Sequence, residues 1–320
     1  MENTVPELRL ADYTGGDSDT RDAFSKELMR GFQRYGFVIL RDHPVPDILL
    51  DKAYAVSAAF FAQAEEVKCR YLGGSRGYAP FRAEHAKDRT APDLKEFWQI
   101  GPEHAEGVGH TDEAGATEPS NIWPESPPEF RETFLRLFEA LQATGQLVLK
   151  ALEPGLKLAA DFFEPLIRDR NSVLRLLHYP PIPIDADADS VRSAAHEDIN
   201  LITLLPAPRG SGLELLDRDG RWLPVATEGN NLIVDSGDML AHITNDAIRA
   251  TTHRVVNPTG ANVSRYSLPF FMHPNSDVML SCLPSCVGDG AKYTDIRAGV
   301  FLEQRLREIG LIKNPIRTES

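Results

Sequence analysis

The sequence predicts a mainly β protein with helices, built around a sandwich or jelly-roll core. Two observations carry this prediction. Before residue 171, apolar residues recur at helical spacing between short strand-like runs. From residue 171 onward, short apolar runs are separated by Gly, Asp, Asn and Pro, which is typical of many short antiparallel strands.

The N-terminal part should alternate strands with helices. LRLADY, residues 8–13, predicts a short strand, and GFVILRD, which starts at Gly36, predicts a buried one. Between them, four apolar residues mark a helix: Phe24, Leu28, Phe32 and Tyr35. Glycine is common just past a helix end, so this helix should end at Gly36. Another helix is expected from Pro46 to about Lys68, because proline is favoured in the first helical turn.

The middle of the chain predicts loops and then helix. Residues 73–103 are rich in Gly, Pro and charge, which indicates an ordered loop over the surface. Residues 104–128 have the composition of a long connection. Apolar residues at helical spacing return at Phe130, and a second helical stretch is expected to continue to about Arg170.

The C-terminal half should form the β core. Its apolar runs include SVLRLLHYP, NLITLLPA, GLELL, NLIVD and RYSLPFF. Asp-Gly supplies the positive backbone angles that a tight turn needs, so DRDG between Leu216 and Arg221 predicts a hairpin. The sequence shows no internal repeat, and the simplest organisation is one catalytic unit with an N-terminal helical wrap.

Composition and charge limit the class of partner. The 320 residues are 42% hydrophobic and 25% charged, as expected for a packed globular enzyme. The 34 Lys and Arg residues against 47 Asp and Glu residues give a formal net charge of −13. The sequence contains no block of Lys and Arg residues that could bind along a phosphate backbone. We therefore expect no nucleic-acid partner and no membrane partner. The chain shows neither a secretion signal nor a run of about 18 apolar residues, so a cytoplasmic location is expected.

The three cysteines do not predict a disulfide framework. Their odd number in a long chain argues against one. Cys282 and Cys286 also lack a second Cys or His pair at the spacing of a structural zinc site. Ordinary thiols are expected.

Three polar residues open the otherwise apolar run HEDINLITLL. In a strand, successive side chains alternate between faces, so His196 and Asp198 should share one face while Glu197 points to the other. An imidazole and a carboxylate on one face can bind a cation, but they need a third ligand from elsewhere. Taken alone, the pair is more often a salt link.

His253, at the start of a strand in THRVV, supplies a third ligand. Two or three intervening strands should bring the chain back across the barrel to it. Two histidines and one carboxylate form the facial triad that binds non-haem Fe(II) and leaves three coordination positions open for substrate and O₂. The sequence therefore predicts an iron site at His196, Asp198 and His253.

Arg265 and Ser267, in RYSLPFF, share one face of a later strand. A buried guanidinium is costly unless it meets an anion, and its planar fork fits a carboxylate through two parallel hydrogen bonds. Ser267 can donate a further hydrogen bond. A salt bridge from Arg265 to a protein carboxylate is the alternative, but the triad favours a carboxylate ligand.

These motifs resemble the 2-oxoglutarate- and Fe(II)-dependent dioxygenases of the isopenicillin N synthase type. RYGFVILRDHPVP is similar to the family's N-terminal Gly-Phe segment, and LRLLHYPP to its Tyr-Pro strand. NNLIVDSGDMLAHITNDAIRATTHRVV is similar to the family's run from Gly-Asp through Thr-Asn to His-Arg-Val. HEDINLITLL and RYSLPFF complete a match over most of the chain.

The resemblance implies a double-stranded β-helix (jelly-roll) core, wrapped by N-terminal and C-terminal helices. The implied iron ligands are His196, Asp198 and His253. Arg265 and Ser267 would bind the distal carboxylate of the co-substrate 2-oxoglutarate, and Tyr179 would hydrogen-bond the same molecule. The implied reaction consumes O₂, decarboxylates 2-oxoglutarate to succinate and CO₂, and oxidises a C–H bond of a small molecule.

By the same resemblance, the chain divides into four regions. Residues 1–118 would form an N-terminal α/β region and residues 119–170 a helical linker that packs on the core. Residues 171–280 would form the β-helix core that binds iron and 2-oxoglutarate, and residues 281–320 a C-terminal helical extension.

Three positions depart from the family pattern. Many members have Asn where Leu177 stands, Asn is frequent at the position of Asp235, and Gly is more usual than Pro44. Leu177 removes one polar contact near the co-substrate, while none of the five principal residues is affected.

The residues that select the substrate are harder to predict. Pockets combine aromatic walls with a few polar anchors. Five residues fit that description: Arg76, Tyr78, Phe81, Phe97 and Phe271. Packing in the core or on the surface is an alternative for each. The sequence indicates neither the substrate nor the oligomeric state.

Three rival functions use the same residues. An isopenicillin N synthase-like oxidase needs Fe(II) and O₂ but no 2-oxoglutarate, and its substrate's carboxylate could occupy Arg265 and Ser267. A zinc hydrolase also suits the triad, but it leaves the buried Arg-x-Ser pair without a purpose. A non-catalytic jelly-roll binding protein is the third, because a fold does not fix a function. The complete triad disfavours it.

Overall fold

The computed structural model describes residues 5–85, 91–103, 119–168, 171–187 and 189–308. In chain order the strands are β1 Glu7–Arg9, β2 Phe37–Arg41, β3 Gly77–Ala79, β4 Glu96–Ile100, β5 Val173–Tyr179, β6 Ser193–His196, β7 Ile202–Pro206, β8 Leu213–Leu216, β9 Trp222–Pro224, β10 Leu232–Ser236, β11 His253–Val255, β12 Arg265–Ser267, β13 Phe270–Met272, β14 Met279–Leu280 and β15 Ile296–Arg297. The helices are α1 Leu10–Gly15, α2 Ser18–Tyr35, α3 Asp47–Phe61, α4 Glu65–Lys68, α5 Phe130–Leu152, α6 Asp238–Ile243 and α7 Ala298–Glu308.

Two β-sheets face each other and form the jelly-roll core. The larger sheet has the order β1-β2-β10-β7-β13-β5-β4-β3, with β12 also paired to β5, and the smaller sheet has the order β6-β11-β8-β9. One apolar cluster joins their inner faces, since it contains Leu177 and Ile233 of the larger sheet together with Leu215 and Val255 of the smaller one. This confirms the predicted double-stranded β-helix.

The outer face of the larger sheet packs against helices. The Trp98 ring of β4 lies 4.8 Å from the Phe60 ring of α3 and 5.1 Å from the Phe130 ring of α5, measured between centroids. Leu174 and Leu176 of β5 belong to the same cluster. Because side chains alternate along a strand, the neighbouring residues of β4 and β5 point instead to the space between the sheets.

Helix α2 begins and ends at residues the sequence marks. The Asp17 carboxylate accepts a hydrogen bond from the Thr20 N–H at 2.9 Å and caps the N-terminus. Gly36 adopts φ 67°, a left-handed conformation that favours glycine, and its N–H donates to the Phe32 carbonyl. The predicted helix end at Gly36 and the buried strand after it are confirmed, as is the Asp-Gly hairpin between β8 and β9.

Four predictions of local structure are wrong. In the strand predicted at residues 8–13, only residues 8 and 9 belong to β1, because α1 begins at Leu10. The single helix predicted from Pro46 is interrupted between Phe61, where α3 ends, and Glu65, where α4 begins. The expected surface loop at 73–103 contains β3 and β4, which pair with each other and extend the larger sheet. The helical stretch expected to reach Arg170 ends at Leu152, and turns and a short 3-10 helix follow it. Most of the predicted connection at 104–128 lies outside the described residues.

A helix that crosses a bilayer needs about 20 mostly apolar residues, and the described residues form seven α-helices. None of them combines the length and apolar character that a crossing demands.

Candidate active site

Three side chains from different segments converge at one end of the space between the sheets. His196 ends β6, His253 begins β11, and the two residues are direct partners in the pairing of these strands. The Oδ1 atom of Asp198 lies 3.8 Å from the Nε2 atoms of both histidines. Two ligands bound to one metal ion at about 2.1 Å can be separated by such a distance. Four strands, rather than two or three, separate the histidines along the chain.

Both imidazoles are oriented by the backbone. His196 Nδ1 lies 2.7 Å from the Ala194 carbonyl oxygen, and His253 Nδ1 lies 3.0 Å from the Thr251 carbonyl oxygen. A carbonyl can only accept, so Nδ1 carries the proton and Nε2 is left as the metal ligand in each ring. Partial desolvation and the neighbouring His253 lower the pKa of His196, which favours the neutral ring that metal binding requires.

Asp198 reaches the histidines from beyond the strand. It lies two residues after His196, the last residue of β6, so strict strand alternation does not apply to it. Thr203 of β7 donates a hydrogen bond to Asp198 Oδ2, and Asn200 donates to the Thr203 hydroxyl at 2.9 Å. These contacts orient the remaining oxygen toward the imidazoles. Glu197 points away, as predicted, and accepts from the Thr252 hydroxyl at 2.6 Å.

A second carboxyl group lies beside Asp198. Asp235 on β10 is buried, and both its burial and the adjacent Asp198 raise its pKa well above the ordinary range. Asp235 is one of the positions that departs from the family pattern. A protonated carboxyl at this position can donate a hydrogen bond to Asp198, much as the more usual Asn would.

Arg265 lies deeper in the same space, on β12. Its side chain is 1% exposed, its Nη1 donates to Ser267 Oγ at 3.2 Å, and its guanidinium carbon lies 4.9 Å from the centroid of the Tyr179 ring. Arg265 and Tyr179 are direct partners in the β12–β5 pairing. The Nε atom is buried without an acceptor, and burial lowers the pKa of this guanidinium. Within the described ranges, no carboxylate pairs with Arg265.

This donor set fits the group that the sequence predicts. Two neutral imidazoles and a carboxylate match a facial Fe(II) site. A buried guanidinium, a hydroxyl and a phenol without an acidic partner match the distal carboxylate of 2-oxoglutarate, because a buried cation is expected to have a counter-charge. Gly210 packs against the Arg265 stem with φ 121°, and a Cβ atom there would lie 3.0 Å from Arg265 Cγ.

Two of the predicted substrate residues line the inner face of the larger sheet. The Arg175 guanidinium carbon lies 4.4 Å from the Phe97 ring centroid and 5.4 Å from the Phe271 ring centroid. Arg175 also donates to Gln99 Oε1 at 2.9 Å. Its position on β5, two strand repeats before Tyr179, places it on the same face. The Arg175 guanidinium therefore lies near both aromatic rings on the inner face of the larger sheet.

The other three predicted substrate residues are placed differently. Tyr78 points to the helical side, where its hydroxyl donates to Glu96, so the expectation that it contacts substrate does not hold. Arg76 is buried against Gly101 and donates to the Ser75 carbonyl at 2.8 Å. Phe81 follows β3, where its ring lies under the Arg82 guanidinium. Tyr78 thus lies away from the triad, whereas Arg76 and the triad's Asp198 both act on the pKa of His273.

Several charged residues near the triad were not predicted from the sequence. Lys95 Nζ contacts Glu84 at 2.7 Å and Asp93 at 2.8 Å, and Asp93 accepts from the Ala194 N–H. The cations Arg175 and Lys95 lower the pKa of the Glu84 carboxyl to about 2, against the opposing effect of its burial. His273 continues the inner face beyond Phe271. The only signal for Arg175 was a charge inside the apolar run VLRLLHY.

Comparisons with known proteins agree with this geometry. Residues 5–126 match the family described as non-haem dioxygenase in morphine synthesis N-terminal, and residues 170–274 match the 2OG-Fe(II) oxygenase superfamily. The 2-oxoglutarate-Fe(II) type oxidoreductase hxnY of Emericella nidulans is 32% identical over 302 residues, covering 91% of this chain and 86% of that protein. Such extensive similarity shows common ancestry along most of the chain.

Two solved structures share the fold. A 2OG-Fe(II) oxygenase family protein from Caulobacter crescentus has 41% identity and a TM-score of 0.83, covering 97% of this chain and 100% of that one. A full-length Neurospora crassa protein, solved with alpha-KG (2-oxoglutarate) and thymine, has 28% identity and a TM-score of 0.84, covering 95% and 96%.

The chain belongs to the 2-oxoglutarate–Fe(II) oxygenase superfamily. It is an oxidoreductase, specifically a 2-oxoglutarate-dependent non-haem Fe(II) dioxygenase, and this family uses Fe(II), 2-oxoglutarate and O₂. The names of its relatives disfavour the oxidase that does without 2-oxoglutarate.

Proposed function

We propose that this protein couples the oxidative decarboxylation of 2-oxoglutarate to succinate and CO₂ with the oxidation of a C–H bond in a small molecule. One observation carries the proposal: the same β core holds a His-Asp-His group and a buried arginine that has no acidic partner in the described part of the chain. A metal site alone would also suit a hydrolase, and a lone arginine would also suit a salt bridge.

Each residue has a separate task in this proposal. His196, Asp198 and His253 hold Fe(II), which together with 2-oxoglutarate supplies the activation of O₂. Arg265 and Ser267 bind the distal carboxylate, and Tyr179 packs against the Arg265 guanidinium. Fixing the distal end of the co-substrate in this way sets the position of its reacting end at the metal.

The substrate is proposed to lie against Phe97, Phe271 and Arg175. Two aromatic rings can cover a flat molecule and exclude water, while a guanidinium can bind a carbonyl or an anionic group. The His196 side chain is 36% exposed, so solvent and small molecules can reach the triad. A small-molecule substrate fits this opening. The absence of nucleic-acid and membrane partners, the cytoplasmic location and the four-region division of the chain remain predictions.

The test begins with an anaerobic titration of the Fe(II) protein with 2-oxoglutarate. We expect a visible charge-transfer band that saturates at one 2-oxoglutarate per iron. Candidate substrates are then screened for stimulated succinate release, with thymine and 5-formyluracil included because the similar Neurospora crassa protein was solved with each of them. O₂ uptake that does not require 2-oxoglutarate would contradict the proposal and support an oxidase.

A further inference from the structure

A second buried arginine lies beside Arg265. Arg192 precedes β6 and is 3% exposed. Burial is the main cause that lowers its pKa, the nearby Arg265 lowers it further, and Tyr179 acts in the opposite direction. Both neighbours therefore belong to the group proposed to bind the distal carboxylate. No sequence pattern marks Arg192, because its position depends on how the loop before β6 folds.

Arg192 has no acidic partner among the residues that the structure describes. Its Nη2 donates to the Val263 carbonyl at 2.5 Å, and its Nε is buried without an acceptor. No described carboxylate forms an ion pair with it, and the same holds for Arg265. Arg192 thus contacts the backbone two residues before Arg265, and the burial of two guanidinium groups in this region is unfavourable unless an anion accompanies them.

The other buried cations of this region are different. Lys95 contacts both Glu84 and Asp93, and Arg175 contacts Glu84 at 3.3 Å. The nearby carboxylates are therefore already paired with these two cations. Arg192 and Arg265 are the buried cations near Tyr179 that remain without a counter-charge from the described chain.

We propose that Arg192 is a second guanidinium for the distal carboxylate of 2-oxoglutarate, so that Arg192 and Arg265 bind it from two sides. The inference rests on the proposed role of Arg265 and extends it to a residue outside the Arg-x-Ser motif. Two cations with planar donor groups can offer a carboxylate more hydrogen bonds than its two oxygens receive from one arginine.

The test compares two ligands that differ only at the distal end. 2-Oxopentanoate has the same chain length and the same 2-oxo acid group as 2-oxoglutarate but ends in a methyl group. Binding of each ligand to the anaerobic Fe(II) protein is followed through the charge-transfer band and by calorimetry. The variants are Arg192→Met, Arg192→Lys, Arg265→Met as the positive control, and Arg34→Met as a control, since Arg34 already has a carboxylate partner, Asp217.

We expect Arg192→Met to raise the Kd for 2-oxoglutarate by about 10- to 100-fold, the effect of losing a hydrogen bond to a charged group. Its Kd for 2-oxopentanoate should stay within about twofold of the wild type, and Arg192→Lys should recover part of the lost affinity. Arg34→Met should change neither value.

Three outcomes would overturn the inference. Equal weakening of both ligands would show that Arg192 only supports the fold, and no change for either would show that it does not reach the ligand. An unchanged Kd for 2-oxoglutarate with a raised KM for the primary substrate would assign Arg192 to a carboxylate of that substrate. If the wild-type Fe(II) protein bound no 2-oxoglutarate at all, the proposed function itself would fail, which is a distinct result.

Discussion

Two buried charges beside β5, Glu96 and Arg265, differ in whether a described residue of opposite charge contacts them. On the helical face, the buried Glu96 carboxylate accepts hydrogen bonds from Lys68 at 2.6 Å and from Tyr78, and it lies 2.7 Å from His178 Nδ1. On the inner face, Arg265 lies beside β5 with no carboxylate among the residues described. One network is complete within the chain, and the other lacks an anion.

The difference shows how a buried charge can be interpreted. A cation that has its counter-charge in the chain stabilises or specifies the fold, whereas a cation without one indicates a ligand. Glu96 on β4 and Arg265 on β12 both adjoin β5, and both are buried. The two groups differ in that Glu96 has a partner of opposite charge and Arg265 has none among the described residues.

The largest expected effect is at the triad. His196→Ala should remove a ligand from the iron site, so the purified variant should contain no Fe(II) after dialysis and release no succinate. Glu197→Ala is the matched control, because Glu197 adjoins the triad but points to Thr252. It should keep one iron per chain, as measured by a colorimetric iron assay. Full iron content in His196→Ala would rule out the assigned site.

The next effect is on stability, at the helical face. Glu96→Gln leaves Lys68 buried without its counter-ion, and removal of one partner of a buried pair costs about 3–5 kcal/mol. The free energy of unfolding from urea denaturation should fall by this amount. Adding Lys68→Met should restore much of the loss. The ratio of the affinities for 2-oxoglutarate and 2-oxopentanoate should not change in either variant, and a change would make this network part of the ligand site.

The third effect is on co-substrate binding. Arg265→Gln should raise the KM for 2-oxoglutarate by about 30- to 5,000-fold, corresponding to ~2–5 kcal/mol for one partner of a buried charge pair. Iron content and the free energy of unfolding should stay near wild type, since Arg265 has no acidic partner to leave unpaired. Ser267→Ala should have a smaller effect in the same direction. An unaltered KM in Arg265→Gln would remove this residue from the site.

The smallest effect depends on pH. Burial lowers the pKa of His273 from the ordinary 6.5 to about 4, so the folded protein holds this ring neutral while the unfolded chain takes up a proton below pH 6.5. The stability of the iron-free protein should therefore fall as the pH decreases from 6.5 to 4, with His273 accounting for up to ~3 kcal/mol.

The His273→Asn variant removes this titration. Its free energy of unfolding should fall less steeply over the same pH range than that of the wild type. Parallel pH profiles for the two proteins would show that His273 is not the group responsible.

The predictions that succeeded rest on local rules. Gly36 ends a helix because glycine tolerates a positive φ, and the Asp-Gly turn joins β8 to β9 for the same reason. His196 and Asp198 were predicted from their two-residue spacing, and His253 from its place at the start of a later strand. Arg265 and Ser267 follow the two-residue period of a strand.

The predictions that failed needed tertiary information. The segment with β3 and β4 has the charge and proline content of a surface loop, yet Lys95 and Glu96 are buried with partners from elsewhere in the chain. Arg192 has no pattern of its own. Which charges have partners is decided by residues that are far apart in sequence, and no local rule reports it.

The pairing of β2 with β10 also has a consequence for how this protein is made. Ser236 donates to the Gly36 carbonyl across 200 positions of sequence, so this junction can close only when most of the polypeptide has left the ribosome. Until then β2 has an open, apolar edge that other nascent chains can pair with. Because distant contacts slow folding in general, we expect the β2–β10 pairing to form late in the folding of this chain.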